Sequence, residues 1–136
     1  MTFAGVNYLA VIVAAIMAFI FGAAYYGLLS KPWMKAARIQ PKEGVGGAMP
    51  PAPLLINSIV CGLIMAWVLA AVLGSMGAAG IAAAVTAAFF LWLGFIATTI
   101  AVNQRYQGYG WNLTVIDAIH WLGATLIMAI VIGWWG

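Results

Sequence analysis

Charge is what this sequence lacks most: of 136 residues, five are Lys or Arg and two are Asp or Glu, 5% of the chain, against about 25% in an average soluble domain. So few charges cannot cover a water-soluble globule. Disorder is excluded from the other side, because it requires low hydrophobicity and high charge, and 67% of this chain is hydrophobic. A net charge of +3 without a dense Lys/Arg cluster offers no phosphate track to a nucleic acid. The single cysteine, Cys61, can form neither an intramolecular disulfide nor a Cys-rich metal site. Set between Val60 and Gly62, it reads as a small core residue rather than a reactive thiol. There is no H-E-x-x-H, no phosphate-binding Gly loop and no nucleophile–base–orienter set, so no enzymatic activity is expected.

What the chain has is apolar length. Crossing about 30 Å of hydrocarbon takes about 20 residues of helix, and four segments qualify: roughly 5–29, 53–76, 79–103 and 112–135. The first has no basic n-region and is too long for a signal peptide, so it reads as a retained helix. The expected architecture is a single all-α domain of four transmembrane helices in an antiparallel bundle, with loops at 30–52 and 104–111. Lys31, Lys35, Arg38 and Lys42 fall in the first of these loops and Arg105 in the second. The N-terminal tail, the connection near Gly77 and the C-terminus carry no Lys or Arg. This asymmetry predicts cytoplasmic loops and outward-facing (periplasmic) termini in a bacterial inner membrane. Trp33, Tyr106, Tyr109, Trp111, Trp134 and Trp135 stand at span ends, as interfacial anchors do.

In the first loop, Ser30 is a candidate N-cap, Pro32 follows in the first turn, and Trp33, Met34 and Ala37 share one side. This predicts a short amphipathic helix over 30–40 on the inner leaflet, with Lys35 and Arg38 toward the headgroups. Pro41, Gly44, Gly46, Gly47, Pro50, Pro51 and Pro53 make the stretch after it a linker. The tight connection at Gly77 predicts that spans two and three pack antiparallel.

In lipid, close backbone approach through small residues drives helix association. Rows at four-residue spacing occur in span one (Ala10, Ala14, Ala18, Gly22), span two (Ser58, Gly62, Ala66, Ala70, Gly74) and span four (Thr125, Ala129, Gly133). Span three offers Ala82 and Thr86, with Gly94 and Thr98 beyond Phe90. An Ala-rich chain produces such rows by composition alone, and the unbroken five in span two are the hardest to attribute to it. Ile56-Asn57-Ser58-Ile59 and Ile116-Asp117-Ala118-Ile119 open spans two and four with a similar pattern, which would suit a two-plus-two parallel repeat.

Ionisable residues inside a span are costly and are functional candidates. Here they are Asp117 and His120, three residues apart and so on one helix face, where a carboxylate–imidazole contact is geometrically allowed. Asn57, Ser58 and Cys61 in span two, Thr98, Thr99 and Asn103 in span three, and Tyr25 and Tyr26 in span one fall at a similar depth. The other half has little beyond Asn7, Thr86 and Thr125. Three readings stay open: a satisfied pair that fixes helix register, a small-molecule or proton site, or metal or haem ligation at His120. For the last, one His and one carboxylate leave a coordination sphere unfilled, and no cofactor is expected.

Asn7-Tyr8-Leu9-Ala10-Val11, Gly22-Ala23-Ala24-Tyr25-Tyr26, Trp33-Met34-Lys35, Trp92-Leu93-Gly94-Phe95-Ile96-Ala97-Thr98-Thr99 and Asp117-Ala118-Ile119-His120 together resemble the bacterial family called domain of unknown function 1761. The likeness covers nearly the whole chain in order. It departs where Tyr25-Tyr26 stands for the family's frequent Trp-Tyr and where the linker is Gly/Pro-rich rather than acidic. The resemblance implies four spans and bacterial origin, supplies no activity, and its recurring positions Asn7, Gly22, Tyr26, Trp33, Gly94, Asp117 and His120 overlap the polar set.

Two functions compete. In the first, the protein binds or passes a small molecule or proton through Asp117, His120, Asn57, Tyr26 and Thr99. In the second it is an accessory subunit, packing through its small-residue faces in a homo-oligomer or against a larger respiratory or photosynthetic complex.

Overall fold

The computed structural model describes residues 2–39 and 50–135, all helix and connecting turn. Residues 40–49, and with them Lys42 and most of the expected linker, lie outside the described residues. The helices are α1 (Tyr8–Leu28), α2 (Ser30–Ala37), α3 (Ala52–Ser75), α4 (Gly80–Leu91), α5 (Thr98–Tyr106) and α6 (Trp111–Trp135). A π-helical turn, Trp92–Ala97, joins α4 to α5 without a break. Tyr8–Leu28, Ala52–Ser75, Gly80–Tyr106 and Trp111–Trp135 are each long and apolar enough to cross a membrane.

Local chemistry sets the ends of these helices. Asn7 caps α1, its side-chain oxygen accepting from the Ala10 N–H at 3.1 Å. Leu29 interrupts the helix at φ −103° and ψ 19°, so α2 starts directly from α1 and Ser30 lies inside the helix instead of capping it. Pro53 stands in the first turn of α3, where no N–H is needed. Three helices close on the same motif, a left-handed residue flanked by two reversed hydrogen bonds. After α3 this residue is Gly77 (φ 65°), with Gly77 N–H on Gly74 O and Ala78 N–H on Leu73 O. After α5 it is Gly108 (φ 83°), with Tyr109 N–H on Gln104 O at 2.9 Å. After α2 it is Arg38 (φ 60°), with Ile39 N–H on Met34 O at 2.9 Å.

The packing order is α3–α1–α6–α4, with α6 against α1 on one side and α4 on the other. This corrects the expected pairing of spans two and three. α3 and α4 are joined at Gly77 but meet sparsely beyond it and form the two flanks of the row. A turn fixes only where two helices start, and lipid covers an apolar flank as readily as another helix does.

The core is mostly alanine: Ala10, Ala14 and Ala18 of α1, Ala66 of α3, Ala84 and Ala88 of α4, and Ala124 and Ala129 of α6 are all buried. Met128 is the largest side chain that is fully buried. At Gly133 a Cβ would stand 2.8 Å from the Ala84 Cβ and 2.9 Å from the Gly80 carbonyl oxygen, so α4 and α6 touch nearly backbone to backbone. In span three the buried pair is therefore Ala84 and Ala88, while Ala82 and Thr86 are exposed. In span two, Ala66 is buried and Ala70 half-buried, but Ser58 and Gly74 are exposed. A Cβ added at Gly62 or Gly74 would meet nothing within 4 Å. Cys61 is also exposed, not in the core, because α3 turns its Ala66, Leu69 and Leu73 side inward.

Candidate functional site

At the end of the molecule opposite Gly77, four helices converge on Asp117. The carboxylate sits two turns into α6, with Thr114 and His120 one turn to either side on the same face. Oδ1 accepts from the Tyr26 hydroxyl of α1 at 2.8 Å and from the Trp33 indole N–H of α2 at 3.1 Å. Oδ2 accepts from the Gln104 side-chain amide of α5 at 2.8 Å. Donors alone surround it, a set that suits an ionised carboxylate. The α6 backbone is held on both sides of this point, the Tyr25 hydroxyl donating to Ile116 O at 2.7 Å and the Trp92 indole to Ala118 O at 2.8 Å.

Gln104 continues the network, its carbonyl oxygen accepting from the Thr114 hydroxyl at 2.6 Å. The Thr114 hydroxyl in turn accepts from Arg105 Nη2. The Arg105 guanidinium also donates to Tyr109 O at 3.2 Å and Gly110 O at 2.7 Å, and lies 3.9 Å over the Trp111 ring. Arg38 ties α2 to the same corner, donating to Gly108 O at 2.6 Å and lying 5.2 Å from the Tyr109 ring centroid. Trp33, Tyr109 and Trp111 therefore engage these polar partners, beyond the interfacial anchoring expected of them.

His120 lies one turn deeper and is 8% exposed. Phe21 stacks on it at 6.0 Å between ring centroids and 8° between planes, with Tyr25 at 5.7 Å, Tyr26 at 4.7 Å and Trp121 at 4.6 Å. Gly22 makes room for the ring, since a Cβ there would stand 2.8 Å from Nε2. Nδ1 is buried and has no hydrogen-bond partner among the described residues. Tyr26 stands between the two ionisable groups, with its hydroxyl on Asp117 and its ring against the imidazole.

The sequence profile of the family described as "Protein of unknown function (DUF1761)" matches residues 9–133. The chain belongs to the DUF1761 family. No curated protein and no solved structure matches it. Within this DUF1761 chain the matched stretch contains every side chain of the Asp117 network and of the His120 cage.

Of the residues singled out in the sequence, the fold brings Tyr26, Asp117 and His120 together and leaves Asn57 and Thr99 apart. Asn57 is exposed on α3, where its side-chain oxygen faces the Cys61 thiol at 3.8 Å. Thr99 is exposed on α5 and donates to Phe95 O of its own helix at 2.6 Å. Gln104 and Arg105 were expected in a loop, but the third spanning helix continues to Tyr106 and carries both into the network. Arg105 followed by Gly108 is the pattern of a helix C-terminus and would have extended it. Grooves of about 750 Å³ along α4 and about 240 Å³ between α1 and α3 are lined by other residues, Phe90 and Trp67 among them. Among the described residues no group of three His, Cys, Asp or Glu side chains could hold a metal.

Proposed function

We propose that this DUF1761 protein binds or passes a proton, or a very small hydrogen-bonding molecule, in the polar half of its helix row, with His120 as the accepting group and Asp117 as a fixed negative charge beside it. The observation that carries this reading is the buried, unpartnered Nδ1 of His120. Leaving a buried polar atom unpaired costs about 1–3 kcal/mol, and such atoms call for an explanation, exchange chemistry among them. The aromatic faces of the cage accept a cation, so they suit an imidazolium as well as an imidazole. The ring is 8% exposed and closely surrounded by Phe21, Tyr25, Tyr26 and Trp121, which favours a proton over a bulky ligand. With the basic loops in the cytoplasm of a bacterium, the site would open toward that side.

The chain has one histidine, so imidazole ¹⁵N resonances of the protein in lipid nanodiscs report on His120 alone. We expect that ring to change protonation between about pH 4 and about pH 9, and Asp117→Asn to displace the midpoint. A ring that keeps one neutral tautomer throughout would overturn the proposal.

The outward-facing Gly62 and Gly74 favour a second reading, an accessory subunit that packs through α3 against another chain. There Gly62→Leu would abolish association in native mass spectrometry, while His120→Ala would leave it intact.

A further inference from the structure

Arg105 carries its positive charge beside backbone carbonyls, a hydroxyl and an indole ring, and its Nη1 is buried with no hydrogen-bond partner among the described residues. Among the described residues Asp117 is the one acid, and two neutral side chains lie between the two charges. Arg105 Nη2 donates to Thr114 Oγ1, Thr114 Oγ1 donates to Gln104 Oε1 at 2.6 Å, and Gln104 Nε2 donates to Asp117 Oδ2 at 2.8 Å. All three donors point from the cation toward the anion. A guanidinium only donates and a carboxylate only accepts, so one orientation of the hydroxyl and one of the amide satisfy the chain. In such a row each bond polarises the next.

We propose that Thr114 and Gln104 are positioning residues of a relay that makes Arg105 the counter-cation of Asp117 and holds this carboxylate ionised within the membrane-spanning helix. A charge in a low-dielectric setting is stable only when paired and hydrogen-bonded. Direct contact with Arg105 is replaced here by two dipoles aligned between the charges. Among the described residues, the other groups near Asp117 are Tyr26 and Tyr25 from α1, Trp33 from α2, and His120 from its own helix. None of them carries a permanent positive charge, which leaves Arg105 to supply it. The relay deepens the reading of Asp117 as the fixed charge beside His120 and rests on it, yet it is measured without reference to His120.

Asp117 is the only aspartate in the chain, so ¹³C-labelled aspartate marks one carboxyl group. Its infrared bands, recorded on the protein in nanodiscs near neutral pH, distinguish carboxylate from carboxylic acid. The wild type is expected to show carboxylate. In Thr114→Val, Gln104→Leu and Arg105→Gln a carboxylic-acid C=O band is expected to appear at the expense of the carboxylate bands. Thr114→Ser, which keeps the hydroxyl, is expected to restore the wild-type spectrum. If Thr114→Val and Arg105→Gln leave the carboxylate band unchanged, the relay is overturned, whether or not these variants lower stability. An unchanged band together with a titrating His120 ring would leave the proton reading standing. A responsive band together with a silent imidazole would do the reverse.

Discussion

Along α6, the stretch from Trp111 to Trp121 presents Thr114, Asp117 and His120 to its neighbours, whereas the stretch beyond Gly123 presents Thr125, Ala129 and Gly133. The first half holds its neighbours by directed bonds from α1, α2 and α5. The second holds α4 by proximity, with Gly133 nearly against the Gly80 backbone. In lipid, apolar burial alone gives no preference for one helix neighbour over another, so a helix is placed either by how closely backbones fit or by where polar groups find partners. One helix uses both devices, each in its own half.

The strongest test of this division removes the centre of the polar half. Asp117→Leu leaves the Tyr26 hydroxyl, the Trp33 indole and the Gln104 amide without their acceptor. At about 0.6 to 1.7 kcal/mol per hydrogen bond in a bilayer, the expected loss for the three is about 2–5 kcal/mol, measured by steric trapping in bicelles. In the packed half, Gly133→Leu forces its Cβ against the Ala84 Cβ and the Gly80 carbonyl, neither of them the end of a flexible side chain. The expected loss there is about 1–3 kcal/mol. If the second substitution costs much more than the first, close packing governs the whole helix and the polar half is secondary.

How much of this could be read beforehand follows from the same physics. Hydrophobic length is demanded by the bilayer, so the four spans and the glycine turn at Gly77 were legible. Which helices become neighbours was not, because apolar faces are interchangeable in lipid. The unbroken row from Ser58 to Gly74 lies partly on an outward face, while Ala10, Ala14, Ala18 and Gly22 carry the contact of α1 with its neighbours. Asp117, His120 and Tyr26 stood out because polar side chains within apolar runs are rare. Gln104 and Arg105 did not, since in a region taken for a loop such residues look like a solvated or headgroup-facing surface. Trp33 stood out as an interfacial anchor and a recurring family position, with no bond to Asp117 foreseen. Their role depends on α5 running to Tyr106 and on α2 folding back against α6, which are tertiary facts.

The smallest expected effect concerns the outermost bond of the polar half. Arg38 closes α2 in the left-handed region, at φ 60°, a conformation that costs a residue with a Cβ about 1 kcal/mol relative to glycine. Against this, its guanidinium donates to Gly108 O at 2.6 Å and lies over Tyr109, contacts together worth about 1 kcal/mol at an exposed position. Arg38→Gly removes the strain and the contacts together, so its stability is expected within about 0.5 kcal/mol of the wild type. Arg38→Ala removes the contacts and keeps the strain, and is expected to lose about 1 kcal/mol under the same steric-trapping assay. The order of the two variants is the informative result. If Arg38→Gly is as destabilised as Arg38→Ala, the bond to Gly108 outweighs the backbone strain and α2 is held by polar contacts even at its exposed end. If both match the wild type, directed bonding stops at Trp33.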